Sequence, residues 1–304
     1  MTQRSFDYRK APFPWFGGKN RAADLVWKLL GDPAHYVEPF AGALGVLLNR
    51  PHPCNRTYYS ETINDLDGFV VNAWRAIQMH PDATAEAASW PVSEADKVAR
   101  QVACLKWREE RELEHLMGDA TWCDPQIAGW WLYGVCCQIG AFVDTGPWTA
   151  DPVTGRIYKQ ARGAREPGVS RNKPQLTDDG RGVNTAATRE PGVCAQERVE
   201  ADYAASDGFH PITMPTLRRW FHWLSARLRH VRIVNGDWTR VCTSGAMFTI
   251  NIRKKDSRDF AAVFLDPPYS MDVRQDGLYQ QDIAGLADAA REWCRKWGNH
   301  PKLR

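Results

Sequence analysis

Apolar residues recur along this chain in two rhythms, and their alternation outlines the fold. Residues 20–30 (NRAADLVWKLL) follow a helical pattern, with Asn20 as the candidate N-cap and Gly31 as a stop before Pro33. His35–Glu38 is a short apolar strand ended by Pro39. Residues 43–49 read as a helix ended by Pro51, residues 57–60 as a second strand, and residues 66–78 as a second helix. In that helix Leu66, Val70, Trp74 and Ile77 share one face. Strand, glycine turn, helix, strand, helix is the order of a parallel, doubly wound α/β sheet.

The middle of the chain breaks this rhythm. Ser93 caps a long charged helix expected over 94–117. Residues 124–140 form another helix, apolar on nearly every side through Ile127, Trp130, Trp131, Val135 and Ile139. Between 151 and 206 periodicity fails, and Arg165-Glu166-Pro167-Gly168-Val169 recurs as Arg189-Glu190-Pro191-Gly192-Val193. Pro-Gly is turn chemistry, so this stretch reads as a loop-rich insertion. Regular patterning returns with a basic, Trp-rich helix over 216–230 and a strand at Val231–Asn235 that runs into Gly236-Asp237-Trp238. An apolar strand at 261–265 and an amphipathic helix at 283–297 complete it. The chain thus divides into an α/β body, residues 1–82 and 210–304, and an inserted helical and loop-rich region, residues 83–209.

Composition adds boundaries rather than detail. The chain has 304 residues, 43% apolar and 25% charged, as soluble globular proteins do. Its longest uncharged stretch, 126–143, is interrupted by glycines, glutamines and a cysteine pair and makes a poor bilayer span. The N-terminus shows no cationic patch followed by an apolar core. No membrane contact, a cytoplasmic location and a monomer are the expectations. Eight cysteines without a C-x-x-C read as reduced thiols, and the scattered histidines suggest no metal site. A formal charge of +3 is too small to demand an anionic partner. Locally the balance differs. Residues 155–173 hold six basic side chains (Arg156, Lys159, Arg162, Arg165, Arg171, Lys173) against one acid, Glu166. Such a segment can follow phosphates and read guanine edges. Arg218, Arg219, Arg227 and Arg229 on the Trp-rich helix are a second candidate surface.

Two motifs carry chemistry. Phe40-Ala41-Gly42-Ala43-Leu44-Gly45 follows a strand and holds two of the three glycines of a dinucleotide fingerprint. Glu61, nineteen positions after Gly42, is a candidate acceptor for ribose hydroxyls. The missing first glycine disfavours a diphosphate and fits a nucleoside ligand better. Gly17-Gly18-Lys19 is not a phosphate-binding P-loop, because Phe13 and Asn20 stand where glycine and Ser/Thr are needed. The second motif is Asp266-Pro267-Pro268-Tyr269 at the end of an apolar strand. Its prolines fix an extended turn that has carbonyl acceptors and no N–H donors. Two acceptors beside a stacking ring suit the exocyclic amino group of a flat base.

With these motifs the chain resembles the class of N6-adenine-specific DNA methyltransferases that includes the GATC methylases. The resemblance rests on Pro14-Trp15-Phe16-Gly17-Gly18-Lys19, Glu38-Pro39-Phe40-Ala41-Gly42-Ala43-Leu44-Gly45, Asn64-Asp65-Leu66, Gly236-Asp237-Trp238 and Asp266-Pro267-Pro268-Tyr269. It covers roughly residues 12–80 and 210–300. It implies a Rossmann-like S-adenosylmethionine-dependent methyltransferase sheet with a target-recognition insertion, acting on double-stranded DNA. It implies that Trp15, Phe16, Gly17, Gly18 and Lys19 help enclose the cofactor. Glu38, Phe40, Gly42 and Gly45 would form the loop under its methionine end. Glu61 would take the ribose and Asp237 the adenine amino group of the cofactor. Asp266 and the Pro267 carbonyl would accept from the target N6, with Pro268 shaping the turn and Tyr269 stacking on the base. An aspartate at 266 disfavours cytosine or a protein amide as substrate. An RNA amino-methyltransferase and an impaired relative that only binds nucleic acid stay open. Family members continue past the last helix into at least one further strand. Residues 302–304 stand where that strand should begin, so missing C-terminal strands and an exposed apolar sheet edge are expected.

Overall fold

The computed structural model of the chain describes residues 9–15, 17–51, 60–90, 93–110, 112–137, 148–150, 157–159, 214–248, 260–267 and 285–304. After α1 (Ala23–Leu30), β1 (His35–Glu38) is buried at every position, as a central strand covered on both faces must be. β2 spans Ser60–Asp65, followed by α2 (Gly68–Met79), α3 (Pro81–Ala88), α4 (Glu94–Glu109), α5 (Glu112–Gly118) and α6 (Pro125–Cys137). β3 (Trp148–Ala150) and β4 (Ile157–Lys159) pair antiparallel. α7 (Met214–Leu228), β5 (Val231–Asn235), α8 (Ser244–Phe248), β6 (Ala261–Val263) and α9 (Leu286–Trp297) follow.

β5, β2, β1 and β6 lie side by side in that order, and all three pairings are parallel. Tyr36, Ile63, Val231, Ile233 and Ala262 project to one face, into a core shared with Trp27, Phe69, Val70, Trp74, Ile77, Trp131 and Leu224. On the other face Val37, Val263 and Leu265 meet Trp238 and Trp293, and Met247 and Trp297 pack nearby. Helices therefore cover both faces of a parallel sheet, the Rossmann-like α/β arrangement expected. Ala85, Cys104, Trp107, Leu116 and Ile127 join the first core, so α3 to α6 pack as part of the same helical layer.

Several elements differ from the sequence pattern, each for a local reason. Ala22, not Asn20, stands at the N-cap of α1; Asn20 Oδ1 instead accepts from Asn49. The helix expected over 43–49 shrinks to one 3₁₀ turn, Leu47–Asn49. Gly42 and Leu44 have positive φ (45° and 52°), which an α-helix excludes. α2 starts after Leu66 because Asp67 caps it, accepting from Phe69 N–H. The helix expected over 94–117 is two helices, α4 and α5. The short hairpin β3–β4 begins just before the stretch expected to be loop-rich. Both pentapeptide repeats lie outside the described residues.

The edge of β6 also departs from expectation. Ala261 N–H donates to Lys302 O, Arg304 N–H to Ala261 O, and Val263 N–H to Arg304 O, at 2.9, 3.0 and 3.0 Å. Residues 302–304 thus run parallel beside β6, and Leu303 is buried against Ala261 and Met247. The chain's own last residues take up the edge that was expected to stand open.

Arg75 of α2 braces this body. Its buried guanidinium donates to the carbonyls of Ile233, Leu116, Asp119 and Trp122 at 2.8–3.2 Å. Truncating it strands carbonyl oxygens in β5, in α5 and in the loop after α5. Arg75→Met should therefore cost about 3 kcal/mol or more, read as a lower urea midpoint at unchanged m-value.

Candidate functional site

The carboxyl ends of the four parallel strands converge on one rim, and each carries an acid there. Across the sheet these are Asp237 after β5, Asp65 at the end of β2, Glu38 at the end of β1 and Asp266 beyond β6. Open α/β sheets bind ligands at this rim. The strand ends are tied together. Asn64 Nδ2 donates to Pro39 O (3.1 Å) and to Gly236 O (2.9 Å), bridging the turns after β1 and β5 from β2 between them. Ala41 N–H donates to Asn64 O, and Phe264 N–H to Val37 O, each at 2.9 Å. Among the described residues no hydrogen-bond partner reaches the buried Asn64 Oδ1, an acceptor left over for a ligand or water.

The glycine turn lies over this rim. Gly42 N–H donates to Asp65 Oδ2 (2.8 Å), and Gly42 O accepts from Trp74 Nε1 (2.8 Å). A Cβ on Gly42 would sit 2.4 Å from the Trp15 indole nitrogen. Trp15 is held in turn against Phe13 and Trp131, with ring centroids 6.1 and 6.5 Å away. A Cβ on Gly45 would meet the backbone nitrogen of Asn20 at 2.8 Å. Trp15 and the Lys19–Asn20 backbone therefore lie directly on the 42–45 loop, and only glycine permits the contact.

Glu38 is buried, and its Oε2 accepts from Tyr36 Oη (3.0 Å) and Leu47 N–H (3.2 Å). Burial pushes its carboxyl up to about 8, with Asp266 and Glu61 adding negative charge nearby. Burial also raises Asp65, against the amides of Gly42, Asp67 and Leu66, which favour its charged form. Asp237 caps the 3₁₀ turn at Trp238–Val241, accepting from Thr239 N–H (2.9 Å) and Thr239 Oγ1. Phe40 lies against Trp238, with centroids 5.9 Å apart. Asp266 is half-buried and meets Lys19 Nζ at 2.5 Å; Lys19 also donates to Gly17 O at 2.8 Å. Lys19, expected among the cofactor's neighbours, thus joins the N-terminal motif to the strand of Asp266.

Glu61 is placed differently from the expectation. It is the second residue of β2, paired with Tyr36, and not the acid at the strand's end. Its carboxylate is buried between Arg227 (2.7 and 2.9 Å) and Arg50 (3.1 Å). Asp65 takes the strand-end position. The strand was expected to stop near residue 60, and that shift of register hid Asp65, although the run Ile63-Asn64-Asp65-Leu66 marks it. Two arginines of the second basic surface are also engaged. Arg227 points inward to Glu61, and Arg218 approaches Asp82 and Glu86 of α3, each at 3.8 Å. Arg227 falls three residues after buried Leu224 and seven after buried Trp220, a spacing that marks the inner face of α7.

Phe16, Pro268, Tyr269, Arg156, Arg162, Arg165, Arg171 and Lys173 lie outside the described residues. Pro267 is half-buried beside Asp266, and Lys159 ends β4 opposite Trp148. Among the described residues there is no cluster able to hold a metal ion, and no helix is long and apolar enough to cross a membrane.

Residues 15–101 match the family model of the D12 class N6 adenine-specific DNA methyltransferase. The span includes the Trp15–Lys19 segment, the Glu38–Gly45 loop and Asp65, and ends before Asp237 and Asp266. No curated relative matches the chain. One feature of the rim is open to a polar ligand: the leftover Asn64 acceptor sits between the strand ends, whereas the space over Gly42 is filled by the Trp15 ring.

Two outcomes follow from this geometry. Gly42→Ala forces a Cβ into the Trp15 ring at positive φ, and should destabilise the fold by about 1–3 kcal/mol, measured by urea unfolding. For Glu38 the folded-state carboxyl is raised above its ordinary value of 4.5, so the folded protein holds the proton more tightly than the unfolded chain. Wild-type stability should therefore fall as pH rises from about 4.5 to about 8, where deprotonation finally strands a buried charge. Glu38→Gln should remove that decline: its stability relative to wild type increases across this window and is level above it, in unfolding curves taken at each pH.

Proposed function

We propose that this chain transfers a methyl group from S-adenosylmethionine to the N6 amino group of an adenine in double-stranded DNA, the adenine being turned out of the helix. The observation that carries this reading is the placement of Asp266 and Pro267 one strand from the Glu38–Gly45 loop, which lies within the segment matching the D12 class. Donor loop and acceptor turn therefore face one another across a single strand spacing, about 5 Å.

S-adenosylmethionine supplies an electrophilic methyl when bound. The 42–45 loop, held down by Trp15, would take its methionine end along the rim, and Asp65 would replace Glu61 as the acid placed for the ribose hydroxyls. Asp237 and the Phe40–Trp238 pair face the cofactor's adenine. A duplex base cannot reach this rim, so the target is flipped at a cost of a few kcal/mol, offset by about 1–3 kcal/mol from stacking on Tyr269. The N6 hydrogens are held by Asp266 and the Pro267 carbonyl. Those acceptors favour a pyramidal nitrogen whose lone pair is aimed at the methyl. The new C–N bond forms as the S–CH₃ bond breaks, and the surplus N6 proton leaves to Asp266 or water. Lys19 occupies one side of the Asp266 carboxylate, which leaves its other lone pairs for the base. We assign the catalytic body to residues 1–82 and 210–304 and target recognition to 83–209. The basic run Arg156, Lys159, Arg162, Arg165, Arg171 and Lys173 is the phosphate-following element there.

Asp266→Ala tests the assignment. With labelled S-adenosylmethionine and unmethylated DNA, incorporation at adenine N6 should fall at least about 100-fold, while calorimetric cofactor binding stays within a few-fold of wild type. Unchanged incorporation would remove Asp266 from the reaction. Label appearing in RNA, or in neither nucleic acid, would replace the substrate or the activity.

A further inference from the structure

Behind the cofactor loop lies a buried cluster of charge that the proposed chemistry does not use. Glu61 faces Arg227 through two hydrogen bonds and Arg50 through a third. Arg50 also donates to Asp32 Oδ1 (2.9 Å) and Pro33 O (2.7 Å), and its guanidinium lies 5.2 Å from the Trp27 ring. The Arg50, Glu61 and Arg227 side chains are exposed by only 1%, 2% and 8%. A desolvated ion cluster of this kind is a poor way to gain stability, since apolar residues of similar volume do as well or better. What it supplies is geometry. The planar fork of Arg227 reaches beyond Glu61, because Nη2 also donates to Leu47 O at 2.9 Å. Leu47 N–H, on the adjoining peptide, donates to Glu38 Oε2.

We propose that Arg227 is a positioning residue for the cofactor loop, holding the Leu47 turn against Glu61 so that its amide fixes the Glu38 carboxyl at the strand end. The connection runs from α7 through Arg227 to the Leu47 turn and on to Glu38. Glu61 supplies the fixed point, because it sits mid-sheet on β2, and Arg50 and Trp27 complete the turn's support. Trp27 Nε1 holds Val46 O at 2.8 Å, and Arg50 N–H holds Leu47 O at 3.1 Å. Those contacts locate the start and end of the turn. The contact from α7 is the one that ties it to the helix that follows the middle segment. The inference rests on the reading of Glu38 as an acid of the cofactor loop.

Calorimetric titration of the full chain with S-adenosylmethionine tests it, using wild type, Arg227→Met, Arg227→Lys, Glu38→Gln and the Arg227→Met/Glu38→Gln pair. Arg227→Met should weaken binding about 10-fold, the loss expected of one hydrogen bond to a charged group. Arg227→Lys keeps the charge beside Glu61 but not the fork, and should recover only part of that loss. In the double variant the two effects should not add, because both act through the same Leu47–Glu38 contact. A merely structural arginine would lower the melting temperature, leave the affinity of the folded protein unchanged and give an additive cycle; that result overturns the proposal. Should Arg227→Met fail to fold, the lysine variant decides: wild-type affinity in it overturns the proposal, and a several-fold loss supports it. A wild-type chain that binds no S-adenosylmethionine overturns the functional reading itself, and that is visible before any variant is made.

Discussion

The peptide of Gly42 is the constraint on which the rest of the site depends. Its positive φ turns the chain back over the sheet rim immediately after β1, and three contacts hold it there. Asp65 accepts its N–H, Trp74 donates to its carbonyl, and the Trp15 ring closes over the space where a side chain would be. Each contact comes from a different part of the chain. Together they join the N-terminal segment, β2 and α2 into one unit around the turn. The same turn explains why residues 43–46 do not become helix: a left-handed Leu44 follows directly, and the chain can recover only a single 3₁₀ turn before Pro51.

Charge is distributed unequally along that rim and beneath it. Glu38 is buried with two donors on one oxygen, which does not offset its loss of water, and its carboxyl is raised to about 8. Glu61 is buried as deeply but lies between two guanidinium groups, so its negative charge is balanced. The two acids stand on adjacent strands and on the same face. Below about pH 8 the Glu38 carboxyl therefore keeps its proton and is neutral, whereas the Glu61 charge is engaged by two guanidinium groups.

Much of this is legible in the sequence, and the failures have physical causes. β1 is legible because Tyr36 and Val37 form a short apolar run that a proline soon ends. The glycine positions and Asp266 are legible because their chemistry is local. Asp65 gives way to Glu61 in the sequence pattern because β2 continues to Asp65 through Thr62 and Asn64, polar residues that end a strand by pattern; here Thr62 is buried and Asn64 staples the neighbouring turns. The buried ion cluster is legible only in part. The spacing of Arg227 from Leu224 and Trp220 marks it as inward-facing, but that Glu61 projects between it and Arg50 follows only from the register of β2 on β1. Sequence spacing reports which face of an element is apolar; it does not report which charges are paired across elements.

The C-terminal edge illustrates the same limit from the other side. A parallel strand beside β6 was expected to be missing, and with it the protection of the strand that carries Asp266. Among the described residues no further strand forms beside β6, but an isolated parallel bridge at Leu303 covers that edge. Parallel pairing needs a partner that arrives from the far end of the sheet, and α9 supplies the crossover by running back along the second face, with Trp293 and Trp297 packed near Val263. The chain then turns at Pro301, and residues 302–304 meet β6 in register with Ala261 and Val263. The backbone groups of β6 are thus bonded on both sides, to β1 and to residues 302–304. The direction in which Asp266 and Pro267 leave the sheet is set by a strand held between two neighbours, not by a free edge.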